Sequence, residues 1–244
     1  MNISKVAVSV ILAILSLNSY AASWNYEGNT GPSHWDKVDP AYATCGTGKE
    51  QSPVNIESHD AKSSKLPDLS IQYAIKAVDV TNNGHTIQVN VAAGNTLRID
   101  NEEFELKQFH FHTPSEEEID GKSFPMDAHF VHIAHDGRIA VVAVLFKEGR
   151  KNQAMAPVFN ALPNLGKTRT LVAFDLSNVL PPQGSYYKYQ GSLTTPPCSS
   201  GVTWMVMKTP VELSHEQIAA FKRFYRMNAR PVQPLNSRVI ESSD

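Results

Sequence analysis

Ala128-His129-Phe130-Val131-His132-Ile133-Ala134-His135-Asp136-Gly137-Arg138-Ile139-Ala140-Val141-Val142-Ala143-Val144-Leu145-Phe146 is the stretch that decides the fold. From Ile139 to Phe146 every residue is apolar, so both faces of an extended chain are suited to burial, the mark of a central strand. Asp136-Gly137 before it is a tight-turn signal, so Ala128–His135 reads as the antiparallel partner. Further strand patterns lie outward on both sides: Ser70–Tyr73, Ala77–Val80, Thr86–Val91, Thr96–Ile99, Glu103–His112 and Gly201–Lys208. Asn83-Gly84 is a second hairpin signal. Helical patterns are few. Ser214–Phe224 has a Ser N-cap with Gln217 at the capping-box position, and Lys151–Ala161 is a weaker candidate. No linker, charge block or repeat divides Ser23 to Asp244. The expectation is a single mainly β (α+β) domain, with a large, mostly antiparallel sheet and small peripheral helices.

The chain has 244 residues, 41% hydrophobic and 19% charged, and 22 basic against 24 acidic residues leave a net charge of −2. That balance carries no electrostatic footprint for nucleic acid. At the N-terminus, Lys5 precedes an apolar run, Val6–Leu17, and Ser19-Tyr20-Ala21 offers a small-x-small cleavage site. These features predict a signal peptide over residues 1–21, cleaved after Ala21, and a mature domain over 22–244 in the periplasm or outside the cell. Crossing a membrane needs roughly 20 apolar residues, so the run is too short for an anchor and the mature form is expected to be free of the membrane. In an oxidising compartment the two cysteines, Cys45 and Cys198, are expected to form one bridge.

Five of the nine histidines fall between His110 and His135. Along a strand, His110 and His112 point to one side and Phe109 and Phe111 to the other. Asp120-Gly121 and Pro125 allow the chain to reverse, and a hairpin would then bring His129 beside the pair. Three neutral imidazoles with no obvious fourth protein ligand describe a catalytic Zn2+ site with an open position. A His-x-His alone suits equally well two strand histidines hydrogen-bonded within a core. Gln108 lies two residues before His110 and Asp127 two before His129, where each could accept from the ring's other N–H and so fix its orientation.

Gln108-Phe109-His110-Phe111-His112, Ala128-His129-Phe130-Val131-His132 and Ser192-Leu193-Thr194-Thr195-Pro196-Pro197-Cys198 together resemble the α-class carbonic anhydrases. Gly31-Pro32-Ser33-His34-Trp35, Gln51–Ile56, Asn82-Asn83-Gly84-His85 and Arg230–Leu235 fit the same family in the same order. Thr113-Pro114-Ser115-Glu116 and the positions of the two cysteines resemble its bacterial secreted branch. The resemblance implies a twisted sheet of about ten strands with zinc in a conical cleft. It implies reversible hydration of carbon dioxide to bicarbonate and a proton, with His110, His112 and His129 as zinc ligands. Zinc brings bound water's pKa near neutrality, behaviour for which this family is the standard example. Thr194 would donate to the Glu116 carboxylate and accept from the bound hydroxide, aiming a lone pair at the substrate. Thr195 would contact bicarbonate, and Val131, Val141, Leu193, Val202 and Trp204 would form the apolar wall for CO2. His85 occupies the proton-shuttle position, with Tyr26 and Asn83 on the proton path. His34 would pack near the entrance, and His59, His132, His135 and His215 would be structural or surface residues. Anions and sulfonamides are the expected inhibitors, and a homodimer is common among secreted bacterial relatives.

Two positions depart from the pattern. Asp127 stands where the family usually has Glu, one methylene longer, so its bond to His129 is expected to lengthen or to pass through water. Glu117 stands where many relatives have His or Asn, and it either joins the site or points outward. A second class of function, a catalytically silent binding domain on the same fold, characteristically loses zinc histidines, and this chain keeps all three. Other His-rich zinc hydrolases use further His/Asp motifs at spacings absent here. Weak ester hydrolysis is a plausible side activity of the same site.

Overall fold

The computed structural model describes residues 23–181 and 184–243. The expected signal peptide and its cleavage point lie outside the described residues. Among them, no helix is long and apolar enough to cross a membrane.

A 13-stranded mixed sheet dominates. Its main path has ten strands, in the order Thr168–Asp175, Ile75–Asn82, Ile87–Val91, Glu102–His112, Met126–Ala134, Ile139–Glu148, Ser200–Met207, Tyr186–Ser192, Glu241–Ser242 and Lys62–Ser63. Three strands lie off the path: Val211–Leu213 beside Ile139–Glu148, and the pair Ser70–Gln72 and Thr96–Ile99 beside Glu102–His112. Most pairings are antiparallel, as expected. Ser200–Met207 and Val211–Leu213, however, both run parallel to Ile139–Glu148. The His215–Lys222 helix starts with the expected capping box between Ser214 and Gln217. The Lys151–Ala161 pattern yields only one turn of α-helix, Ala156–Phe159.

Ile139–Glu148 is the central strand that its sequence demands. Val142, Val144 and Phe146 enter one apolar cluster with Phe109, Phe111 and Phe130. Val141, Ala143 and Leu145 enter a second, on the other face, with Tyr189, Trp204 and Val206. A strand buried on both faces cannot shift its pairing by one residue without exchanging its two side-chain sets, so the register is strongly specified. The phenylalanines alternating with the histidines bury one face of Glu102–His112 and turn the histidines to the other.

A third cluster, of Tyr26, Trp35, Tyr42, Cys45 and Cys198, closes the N-terminal region over the sheet. Cys45 and Cys198 form the expected disulfide, across 153 residues of sequence. His132 is buried as a structural residue, while His59, His135 and His215 are exposed and His34 is half-buried. The Tyr73 hydroxyl donates to His132 Nε2 at 2.6 Å, and His132 Nδ1 donates to the Ala140 carbonyl at 3.3 Å. Both ring nitrogens are thereby committed to the neutral tautomer.

Cross-linking 153 residues restricts the unfolded chain strongly. Cys45→Ala with Cys198→Ala is expected to lose about 2–5 kcal/mol of stability. Urea unfolding checks this, and an unchanged midpoint and slope would contradict it. Burial pulls the His132 imidazole down to about 4, against an unfolded value near 6.5. Below pH 6.5 the unfolded state therefore binds a proton that the folded state refuses. Stability is full above that pH and falls as pH drops toward 4, by about 3 kcal/mol. His132→Leu with Tyr73→Phe should flatten this part of the stability profile, and an unaltered acid slope would rule out His132 as its source.

Candidate metal centre

Two adjacent strands build the centre. Glu102–His112 carries Gln108, His110 and His112, and Met126–Ala134 carries Asp127, His129 and Val131. Their antiparallel register sets His129 opposite His110, Asp127 opposite His112 and Val131 opposite Gln108. Each of the three histidines offers one ring nitrogen, all within 4.8 Å of one another, in a group able to hold a metal ion. His112 and His129 are buried, and His110 is partly open.

Hydrogen bonds to the opposite ring nitrogens select which atom each ring presents. His110 Nδ1 donates to Gln108 Oε1 at 2.8 Å, and His112 Nδ1 donates to the Asn228 carbonyl at 2.8 Å. Both rings therefore present Nε2. His112 Nε2 is buried without a hydrogen-bond partner, a costly state unless another group engages it. His129 is reversed: its Nε2 lies 3.1 Å from Glu117 Oε2 and 3.3 Å from Asp127 Oδ2, leaving Nδ1 to face the centre. Gln108 thus stands where it was expected. Asp127 is in reach of His129 but is not its nearest acceptor, and Glu117 turns inward.

Burial, reinforced by His112 and His129, holds His110 well below the ordinary histidine range. Burial would lower His129 too, but Asp127 and Glu117 outweigh it and hold this ring well above the ordinary value. Burial raises Glu116. Its Oε1 accepts the Arg230 N–H at 2.7 Å, and its Oε2 lies 3.6 Å from His112 Nε2 and 3.8 Å from His129 Nδ1. The expected hydrogen bond from Thr194 is not formed: Glu116 Oε2 faces the imidazoles without a hydrogen-bond partner.

Above the histidines is a cavity of about 120 Å³, lined by Gln108, His110, His129, Val131, Val141, Leu193, Thr194, Thr195 and Trp204. Of the seven residues expected around the substrate, six line this cavity: Val131, Val141, Leu193, Thr194, Thr195 and Trp204. Val131, Val141 and Trp204 face it because they pair directly across three neighbouring strands. Val202, on the same face as Trp204 and buried in the same cluster, does not line the cavity. The disulfide steadies the Thr194 loop, as Cys198 N–H donates to the Thr195 carbonyl and Gln51 Nε2 to the Cys198 carbonyl.

His85 sits on the hairpin after Ile75–Asn82, where Gly84 has φ +92°. The Asn83 side-chain oxygen accepts the His85 and Thr86 N–H groups, so this residue shapes the turn that bears His85. The His85 ring stacks on Trp24 with centroids 3.8 Å apart and planes 9° from parallel. Burial lowers its pKa from the ordinary histidine value. Tyr26 packs edge-on against Trp24 and is buried.

Sequence reasoning missed Asn228, Arg230 and Trp24 as parts of the site. Asn228 orients His112 through its backbone carbonyl, which no residue type signals. Arg230, buried, donates to the Ser52 and Cys45 carbonyls while its backbone N–H holds Glu116. The motif Arg230–Leu235 was visible, but not these partners.

The family profile of the eukaryotic-type carbonic anhydrases matches residues 30–244. A carbonic anhydrase of Pectobacterium carotovorum is 44% identical over 97% of this chain and 98% of its own. The α-carbonic anhydrase of Thermovibrio ammonificans, solved with the inhibitor sulfanilamide, superposes with a TM-score of 0.88 at 45% identity, covering 90% of this chain and 99% of that one. The family extends to dioscorin DB3L of Dioscorea polystachya, 33% identical over 86% of this chain and 81% of its own. With its mixed sheet and histidine centre already described, the chain belongs to the α-class carbonic anhydrase family, the enzymes of reversible carbon dioxide hydration.

Proposed function

We propose that the chain hydrates carbon dioxide at one zinc ion held by His110 Nε2, His112 Nε2 and His129 Nδ1. The observation that carries this reading is the convergence of three hydrogen-bond-oriented imidazoles beneath an apolar-walled cavity. The donor set fits zinc: three imidazoles, neutral once they ligate, would leave the ion's charge intact, and His112 Nε2 is buried without a hydrogen-bond partner. Zinc held there would supply a hydroxide nucleophile at neutral pH.

The chain's own residues do the rest. Gln108 and the Asn228 carbonyl hold two rings in the tautomer that a metal needs. Val131, Val141, Leu193 and Trp204 give the uncharged substrate an apolar wall, while Thr194 and Thr195 present the polar edge where bicarbonate would form. Each hydration releases one proton, and His85 is the group to carry it off. Burial lowers its pKa, which favours the neutral ring that can accept a proton. The silent-domain alternative is disfavoured by the retention of all three histidines together with Glu116 and Thr194. The Cys45–Cys198 bridge fits a secreted protein. We place the mature chain in the periplasm or outside the cell, after cleavage at Ala21. Sulfonamides and small anions are expected to inhibit by competing for the open metal position.

Stopped-flow CO2 hydration by zinc-loaded protein should be fast and should vanish with a chelator; inactive protein carrying one zinc per chain would refute the enzymatic reading. His85→Ala should lower turnover about tenfold or more in weak buffer, with recovery on adding imidazole. Turnover insensitive to the substitution would remove His85 from the proton path.

A further inference from the structure

His129 has two buried carboxylates beside one N–H. The pair arises from the two departures noted in the sequence, Glu117 and Asp127, each fully buried. A single imidazole N–H makes one good hydrogen bond, so the two acids must divide the work.

The contacts separate them. Asp127 Oδ2 accepts the Glu116 backbone N–H at 2.7 Å, a short bond, and lies 3.3 Å from His129 Nε2. Its other oxygen, Oδ1, is buried without a hydrogen-bond partner. Asp127 is therefore committed first to the main chain at Glu116. Glu117 Oε2 lies closer to His129 Nε2, at 3.1 Å. The hydroxyl of Tyr189 stands 3.5 Å from Glu117 Oε1 and 3.2 Å from Ser52 Oγ. Ser52 Oγ in turn accepts the Ser192 N–H at 3.1 Å, on the strand leading to the Thr194 loop. Glu117 thus has a polar neighbour at each oxygen, His129 at one and Tyr189 at the other, whereas Asp127 Oδ1 has none.

Side-chain length explains why the two departures occur together. Aspartate at 127 is one methylene shorter than glutamate and stops at the Glu116 N–H. Glutamate at 117 comes closer to the same ring nitrogen, 3.1 Å against 3.3 Å for Asp127.

We propose that Glu117 is the positioning residue for His129, with the Tyr189 hydroxyl beside its other oxygen, while Asp127 anchors the backbone of Glu116. The function of orienting this ligand has moved from one segment of the chain to another. The inference rests on His129 being a zinc ligand.

The test is zinc retention, read as the rate of transfer to a chromogenic chelator from protein carrying one zinc per chain. Glu117→Ala should release zinc about 10–100-fold faster. Asp127→Ala should release it much more slowly than Glu117→Ala does. In the Glu117→Ala background, Asp127→Glu should restore retention, because the longer side chain then reaches Nε2. Glu117→Gln keeps the shape and guards against misfolding; it should move the downfield proton resonance of His129 Nε2–H upfield in the zinc-loaded protein. Faster release from Asp127→Ala than from Glu117→Ala, an unmoved resonance in Glu117→Gln, or no rescue by Asp127→Glu would each overturn the proposal. Parent protein that takes up no zinc would instead overturn the metal centre itself, which distinguishes the two failures.

Discussion

The register between the Glu102–His112 and Met126–Ala134 strands is the constraint on which the rest of the molecule depends. It sets His129 directly across from His110, and His112 two residues further along the same face. The register is held from behind rather than by the histidines themselves. Phe109, Phe111 and Phe130 bury the opposite face, and Phe109 stacks on Phe130 with centroids 4.8 Å apart. A one-residue slip would send phenylalanines into the cavity and histidines into the core, so apolar burial specifies the metal centre.

The same register extends sideways into the substrate wall. Gln108, Val131, Val141, Trp204 and Tyr189 form one row across five neighbouring strands. This row places a ring-orienting amide, three apolar cavity residues and the tyrosine beside Glu117 on one line of the sheet. Apolar wall and imidazole cluster are thus adjacent rows of one rigid surface, and rigid support is what keeps a catalytic geometry within narrow limits. The Thr194 loop, which lines the cavity, is by contrast irregular, and the disulfide ties it to the N-terminal aromatic cluster around Trp35. Arg230 joins these parts, its guanidinium 5.6 Å over Trp35 and its N–H groups on the Ser52 and Cys45 carbonyls.

Three buried acids lie beside the centre, and none of them lines the cavity. Glu116, Glu117 and Asp127 are almost wholly inaccessible, and each is held by a different element. Buried carboxylates need hydrogen bonds and a compensating charge. Arg230 and Glu116 backbone N–H groups and the imidazoles supply part of that need, and a divalent cation among the histidines would supply the rest. The acid cluster therefore argues for a cationic centre independently of the ligand geometry.

The chain's local patterns determined a good deal. An apolar run buried on both faces, an Asp-Gly turn and a His-x-His alternating with phenylalanine sufficed to place the central hairpin and to gather three histidines. Local patterning suffices there because strand alternation and burial are period-two properties written in neighbouring residues. The tertiary structure alone decided the parallel return of Ser200–Met207, the backbone carbonyl of Asn228 on His112, the stacking of Trp24 on His85 and the inward turn of Glu117. Each of these joins residues far apart in the chain, or uses a main-chain atom that every residue possesses. No local period encodes such pairings, so the identity of the second acceptor at His129 had to wait for the packed structure.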